Sequence, residues 1–146
     1  MPGTLFDTSV YISALRTGDL SILSSRRVAR KGEAKDSPLW LSVVVLEELY
    51  VGAQDRKMKK LLSHLEKSFE SAGRILVPLQ SDWTAGGQVL ALIGKKYGYE
   101  EVGRARMTND ALIAMSAARQ GITVLTINDD DYRMIAEFRP FDWERV

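Results

Sequence analysis

Four acidic residues, Asp7, Glu48, Asp110 and Asp131, are spaced along the chain so that chemistry could be concentrated on them. Carboxylates that converge without cationic partners repel one another and raise each other's pKa values. A hard divalent cation relieves that repulsion, and carboxylate oxygens suit Mg²⁺ or Mn²⁺. Such an ion lowers the pKa of a bound water and stabilises both oxygens of an in-line displacement, so the chemistry implied is phosphodiester hydrolysis. Each acid also has an ordinary explanation. Asp7 suits a helix cap, and Asp110 a first-turn residue that favours the helix dipole. Glu48, like its neighbour Glu47, suits a solvated helix position, and the run Asp129–Asp131 suits a turn. The case for a site rests on the four placements together.

Those placements depend on the elements that carry the acids. Thr4–Phe6 reads as a short strand ending at Asp7, with Thr8 and Ser9 suited to a helix entry. Leu39–Val43 reads as a second strand, running through Ser42 into a helix over Val44–Ala53 with Glu48 about one turn in. Residues 54–70 place Met58, Leu61, Leu62, Leu65 and Phe69 on one helical face. Ile75–Leu79 reads as a third strand, and Ser81 or Asp82 can cap the helix that follows to Tyr97. Gly86-Gly87 inside that helix predicts close backbone packing, since glycine there costs about 1 kcal/mol relative to alanine. Thr108 or Asn109 is the expected cap of a helix over Asp110–Gln120 that stops at Gly121. Ile122–Ile127 is an apolar strand of the kind buried in a parallel sheet. Asn128–Asp131 then leads into a short helix through Tyr132–Glu137, and Phe141–Trp143 suits a last strand. Residues 17–37 lack a clean period and read as a loop or mobile helix ending at Pro38.

Alternating strands and helices imply an α/β domain in three layers, with a mostly parallel central sheet flanked by helices. Ligands of such sheets bind at the carboxyl ends of the strands. Asp7 and Asp131 fall on that edge, and the nearby helix starts bring Glu48 and Asp110 towards it.

Composition bounds the function. The 146 residues suit one domain spanning 1–146, with 45% hydrophobic and 27% charged residues. Twenty Lys+Arg against nineteen Asp+Glu give a net charge of +1, too little for a protein that coats polyanions wholesale. The chain has no cysteine, which excludes disulfides, thiolate zinc sites and cysteine nucleophiles. The one histidine, His64, excludes a His-rich metal site and reads as a surface or boundary residue. No apolar run approaches 18 residues and the amino terminus has no secretory pattern, so the expectation is a soluble cytoplasmic protein with no membrane contact.

Four ordered motifs resemble those of PIN-domain ribonucleases, particularly the VapC toxins of bacterial and archaeal toxin–antitoxin pairs. Phe6-Asp7-Thr8-Ser9-Val10-Tyr11-Ile12 resembles the opening Asp-Thr/Ser-apolar segment. The run from Leu41 to Ala53 resembles a strand–helix with Glu-Leu-x-x-Gly, and Leu49 and Gly52 select Glu48 over Glu47. Asn109-Asp110-Ala111-Leu112-Ile113-Ala114 resembles the Asp-x-x-Ile-Ala helix start. Thr126-Ile127-Asn128-Asp129-Asp130-Asp131-Tyr132 resembles Thr-x-Asn-x-x-Asp-Phe, with Tyr for Phe. The resemblance implies an Mg²⁺- or Mn²⁺-dependent endoribonuclease with catalytic and metal-binding Asp7, Glu48 and Asp110. Asp131 is the fourth acid, with Asn128 and Asp129 as alternatives for reaching the metal. Thr8 and Thr126 become hydroxyl supporters of the site. It also implies a homodimer and a cognate antitoxin whose tail obstructs the acidic groove, with an inserted Arg pairing the carboxylates. One departure is the 17–37 segment, a longer first connection than compact toxins carry.

Basic residues supply the expected RNA contacts. Residues 26–35 hold Arg26, Arg27, Arg30, Lys31 and Lys35 against Glu33, a net +4 that leaves −3 for the rest (1 − 4). That segment reads as a solvated loop or as a clamp on the RNA backbone. Arg104 and Arg106, on an expected loop before Asp110, are further phosphate contacts. Trp40, Trp83 and Trp143 read as core or dimer-interface residues rather than base-stacking platforms, and Met58, Met107, Met115 and Met134 as core filling. A haloacid-dehalogenase phosphatase is disfavoured because Ser9 stands where its second Asp belongs. A receiver domain is disfavoured because no Lys follows Ile127-Asn128-Asp129. The alternative of another class is a catalytically weak PIN-like protein that binds RNA or a partner without cleaving.

Overall fold

The first strand is buried along its length, with Thr4 and Leu5 inaccessible and Phe6 partly so, which places it at the centre of the architecture. In a computed structural model, which describes residues 3–30, 32–33 and 36–146 (the side chain of Glu101 excepted), β1 spans Thr4–Phe6 and α1 spans Thr8–Arg16. Leu5 is fully buried, and Asp7 ends the strand as the N-cap of α1. The 17–37 segment is more ordered than its aperiodic sequence predicts. It forms a 3₁₀ turn over Leu20–Ser24, which buries Ile22 and Leu23, and a two-residue strand β2 at Arg27–Val28. Two buried residues and one short pairing are too little pattern for periodicity to detect.

Strand β3, Ser37–Ser42, starts before Pro38 and leads directly into α2, Val43–Gly52, where Ser42 Oγ accepts from the Val44 amide at 3.1 Å. Helix α3, Arg56–Ser71, is capped by Asp55 and buries Leu62, Leu65 and Phe69, with Met58 and Leu61 at the margin of that face. His64 is exposed on its opposite side, as expected.

The third strand, β4, is confined to Ile75–Leu76, and α4 runs over Gln80–Tyr97. Neither Ser81 nor Asp82 is its N-cap. Both lie within the helix, and Asp82 instead accepts from the Leu79 amide at 2.8 Å and pairs with Arg119 at 3.0 Å. The close approach predicted at Gly86-Gly87 is absent. A Cβ on Gly86 would make an ordinary 3.7 Å contact with Ala111, and one on Gly87 would meet nothing within 4 Å. The tight position in this helix is Gly94, where a Cβ would lie 2.3 Å from the Tyr99 ring. Trp83 is 58% exposed and belongs to no core, whereas Trp40 and Trp143 pack against it.

After the short α5, Tyr99–Val102, helix α6 spans Ala105–Gln120. It begins upstream of its predicted start because Met107 already belongs to the buried face that continues through Ala111 and Ala114. Thr108 and Asn109 therefore cap nothing, and Asp110 lies in the second turn rather than the first. The predicted stop holds: Gly121 takes the left-handed conformation, with φ of 67°. Strand β5, Thr123–Thr126, helix α7, Asp130–Phe138, and strand β6, Trp143–Arg145, complete the order.

The sheet runs β2-β3-β1-β5-β6, with β4 also paired to β3. Every pairing among the described residues is parallel except β2 with β3. Helices flank this sheet, giving the expected three-layer α/β fold. Its register decides what meets at the carboxyl edge. Thr4, Leu5 and Phe6 stand opposite Thr123, Val124 and Leu125, so the next step brings Asp7 level with Thr126.

Candidate active site

Asp7 is held by three donors, one delivered by the strand register and two by the first turn of α1. Its Oδ2 accepts from Thr126 Oγ1 at 2.6 Å, and its Oδ1 accepts from Ser9 Oγ at 2.5 Å and from the Val10 amide at 3.3 Å. Thr126 has one hydroxyl proton, and Asp7 is its nearest acceptor; the Asn128 amide donates in return to Thr126 Oγ1 at 3.1 Å. Ser9 Oγ also accepts from the Ile127 amide at 3.1 Å, which ties the first turn of α1 to the turn after β5. Burial raises the pKa of Asp7, and the Ser9, Thr126 and Val10 donors oppose that rise. Thus Asp7 both caps its helix and faces the cleft, so the two sequence-level explanations are not exclusive.

Glu48 reaches the same edge from α2. Thr8 Oγ1, at the start of α1, donates to Glu48 Oε1 at 2.7 Å. Asp110 approaches from α6, and it is the most perturbed carboxyl of the group. Burial, a hydrogen bond with Asp131 and the charges of Asp131 and Asp7 together push its pKa up to about 9, with Arg106 opposing. Tyr132, fully buried, donates from its hydroxyl to Asp110 Oδ1 at 3.3 Å, and its own pKa is raised by burial and then by Asp110.

Asp7, Thr8, Ser9, Glu48, Arg106, Asp110 and Asn128 line one cleft of about 600 Å³. Asp131 does not line it, but stands against Asp110 at the first turn of α7. Two cations stand beside the acids. Arg106 Nε lies 3.8 Å and an Arg104 guanidinium nitrogen 4.0 Å from Asp131. Arg106 lies in the first turn of α6 rather than on a loop, whereas Arg104 stands in extended conformation just before the helix, on the expected connection.

Asp129 is separated from this group. Arg133 bonds its carboxylate at 2.5 Å and holds its pKa down, Arg145 stands 3.9 Å away, and all three line a different cleft. A residue neutralised by two guanidiniums on another wall is not placed with the other proposed ligands.

The basic segment does not line the acidic cleft either. Arg26 packs over the Phe69 ring and donates to Ser68 Oγ and to the Leu23 and Ser25 carbonyls. Arg27 donates to the Asp36 carbonyl at 2.5 Å, and Arg30 pairs with Glu33 and Glu144. Lys31 lies outside the described residues. Ser9 and Tyr132 are the site residues that the sequence reading missed. Ser9 follows Asp7-Thr8 directly, but nothing in its spacing tells a helix-entry serine from one that bonds an acid.

The donor set has the chemistry of a hard-cation site. It offers carboxylate, amide and hydroxyl oxygens, and three carboxyls whose mutual repulsion and burial leave Asp110 protonated at neutral pH. Among the described residues, no three acidic or histidine side chains already stand as a complete ligand group. Mg²⁺ needs fewer, since one or two carboxylates plus water and phosphate oxygens complete its shell. The residues present therefore fit a divalent cation.

Residues 4–137 match the model of the family described as PIN domain. No curated protein matches the sequence. Solved structures of the same fold include the DNA-bound VapBC complex of Salmonella typhimurium, with a TM-score of 0.65 and 20% identity over 99% of this chain and 98% of that one. FitAcB of Neisseria gonorrhoeae aligns with a TM-score of 0.58 and 23% identity, covering 96% of this chain and 95% of that one. VapBC-5 of Mycobacterium tuberculosis aligns over 100% of both chains with a TM-score of 0.51 and 23% identity.

Proposed function

Because this chain belongs to the PIN domain family, we propose that it is a divalent-metal-dependent endoribonuclease, the toxin of a VapC-type toxin–antitoxin pair. One observation carries the reading: Asp7, Glu48 and Asp110 line one cleft, with Asp131 against Asp110, whose pKa is raised by burial and by its acidic neighbours. A carboxyl so placed is a liability to a fold unless a cation is bound there.

Asp7, Glu48 and Asp110 would hold Mg²⁺ or Mn²⁺, with Asp131 behind Asp110 and Asn128 at the cleft wall. When bound, the ion supplies a low-pKa water and charge stabilisation for an in-line phosphodiester displacement. The chain's own residues orient the acids. Thr126 and Ser9 hold both oxygens of Asp7, Thr8 fixes one oxygen of Glu48, and Tyr132 fixes one of Asp110. Arg106, in the cleft wall and 3.8 Å from Asp131, carries a guanidinium that can turn to a substrate phosphate.

The partners that follow are RNA, a second copy of the chain, and an antitoxin that covers the acidic cleft, all in the cytoplasm. No helix of the described residues is long and apolar enough to cross a membrane. The deciding experiment compares wild type with Asp7→Asn on structured and single-stranded RNAs in Mg²⁺, Mn²⁺ and EDTA. Cleavage confined to wild type with metal is expected. Equal cleavage by both proteins, or cleavage in EDTA, overturns the mechanism. Growth arrest on expression, relieved by co-expressing a small neighbouring reading frame, tests the toxin role.

A further inference from the structure

We propose that a second cleft, across the turn between β5 and α7, is a nucleotide subsite for a single-stranded RNA whose scissile bond lies in the acidic cleft. The proposal deepens the nuclease reading and rests on it. The two clefts are lined by residues that neighbour one another in the chain. Phe6 lines the second cleft and Asp7 the first; Asp129 lines the second and Asn128 the first. The backbone at Phe6-Asp7 and at Asn128-Asp129 stands between them, so a strand passing from one to the other would run over the β5–α7 turn.

The second cleft, about 750 Å³, is lined by apolar side chains and by three arginines against two carboxylates, Asp129 and Glu144, a net charge of +1 (3 − 2). Phe6, Leu125 and Trp143 are among the apolar lining, Arg30 is paired with Glu144, and Arg133 and Arg145 carry the positive charge left over. The Arg133 guanidinium lies 5.5 Å from the centre of the Trp143 ring, which puts a cation and an aromatic face in one place. Arg133 and Arg145 share the single carboxylate of Asp129 and are 69% and 66% exposed, so most of their N–H donors face solvent. The buried Nε of Arg30 has no hydrogen-bond partner among the described residues. Guanidinium donors match phosphate oxygens, and an aromatic face accepts any base. Bases of a duplex are stacked on one another, so only an unpaired strand can place one here. Trp143, which packs against the core as expected, also lines this cleft, and Arg30 takes a role in RNA binding here rather than beside the acids.

The test uses a fluorescently labelled single-stranded RNA decamer in EDTA, with binding read by anisotropy. Trp143→Ala and Arg133→Ala are each expected to weaken binding by roughly tenfold, from the usual contribution of one stacked base or phosphate contact. Arg133 is exposed, so its variant guards against a folding defect in Trp143→Ala. A hairpin duplex of similar charge should bind wild type more weakly and respond little to Trp143→Ala. Decamer binding by both variants at wild-type strength overturns the proposal. So does a ten-residue glutamate peptide that displaces the decamer and loses affinity with the same substitutions, since the cleft would then be an acidic-peptide site. Cleavage on the same proteins separates the two readings. Metal-dependent cleavage lost in Asp7→Asn, with decamer binding indifferent to Trp143, removes the subsite alone; wild type that neither binds nor cleaves removes both.

Discussion

The hydroxyl of Thr126 donates to Asp7 Oδ2 at 2.6 Å across a separation of 119 residues. Parallel pairing of β1 and β5 alone brings the two together, and both are buried. Thr126→Val keeps the shape and removes the donor. It should destabilise the protein by about 1–3 kcal/mol, the usual cost of orphaning a buried polar group. RNA cleavage should fall about 10–100-fold, as for other residues that orient metal-binding acids. Thr126→Ser should recover most of both. Urea denaturation and cleavage rates check this, and equal loss in Ser and Val variants would show that packing matters, not the hydroxyl.

Asp110 makes the metal-free protein sensitive to pH. Its folded-state pKa, about 9, lies above the ordinary carboxyl value of 3.8. Between those values the folded chain keeps a proton that the unfolded chain releases, so stability falls as pH rises. The slope from this group is at most about 1.4 kcal/mol per pH unit. Asp110→Asn removes the effect. In EDTA the variant should melt above wild type, with the gap widening from pH 5 towards pH 9. A gap that is constant or narrows with pH contradicts the assignment.

Metal should reverse that order. Mg²⁺ or Mn²⁺ at 100 times its dissociation constant stabilises the folded state by about 2.7 kcal/mol if only that state binds. Wild type should therefore melt higher with metal than in EDTA, and Asp110→Asn should shift little. Thermal melts at matched ionic strength, with Ca²⁺ and Na⁺ as controls, provide the measurement. Equal shifts in both proteins would remove Asp110 from the ligand set.

Asp129 and Glu48 should behave oppositely. Asp129 is paired with Arg133 at 2.5 Å in the neighbouring cleft, so Asp129→Asn should leave the metal-dependent melting shift intact. Glu48 lines the acidic cleft, and Glu48→Gln should reduce that shift and lower cleavage by at least about tenfold. Metal titration of the two variants separates them. A shift lost in Asp129→Asn would show that the β5–α7 turn rearranges around the ion.

Where local physics dominates, the structure is written in the residues themselves. Leu62, Leu65 and Phe69 recur at helical spacing and are buried together, and Gly121 ends α6 because it accepts a positive φ. Asp7, Glu48 and Asp110 could be chosen because each stands near a strand end or early in the helix after it. The failures have equally local causes. The start of α6 was misjudged because Thr108 and Asn109 look like caps, whereas the buried face reaches back to Met107. The 17–37 segment pairs only two residues with β3, too few for a pattern.

By itself, then, the sequence determined the α/β alternation, the carboxyl-edge placement of the acids and a family pattern from Phe6 to Tyr132, because caps, periodicity and motif spacing are properties of nearby residues. The tertiary structure decided which acids share a field. Strand register sets Thr126 on Asp7, and the turn after β5 sends Asp129 to Arg133 and Arg145 but Asp131 to Asp110. Asp129 and Asp131 differ by two positions, and on a turn entering a helix that suffices to point them to opposite walls. The Asp129–Arg133 pair is local, four residues apart, but only strand pairing brings Arg145 to the same wall.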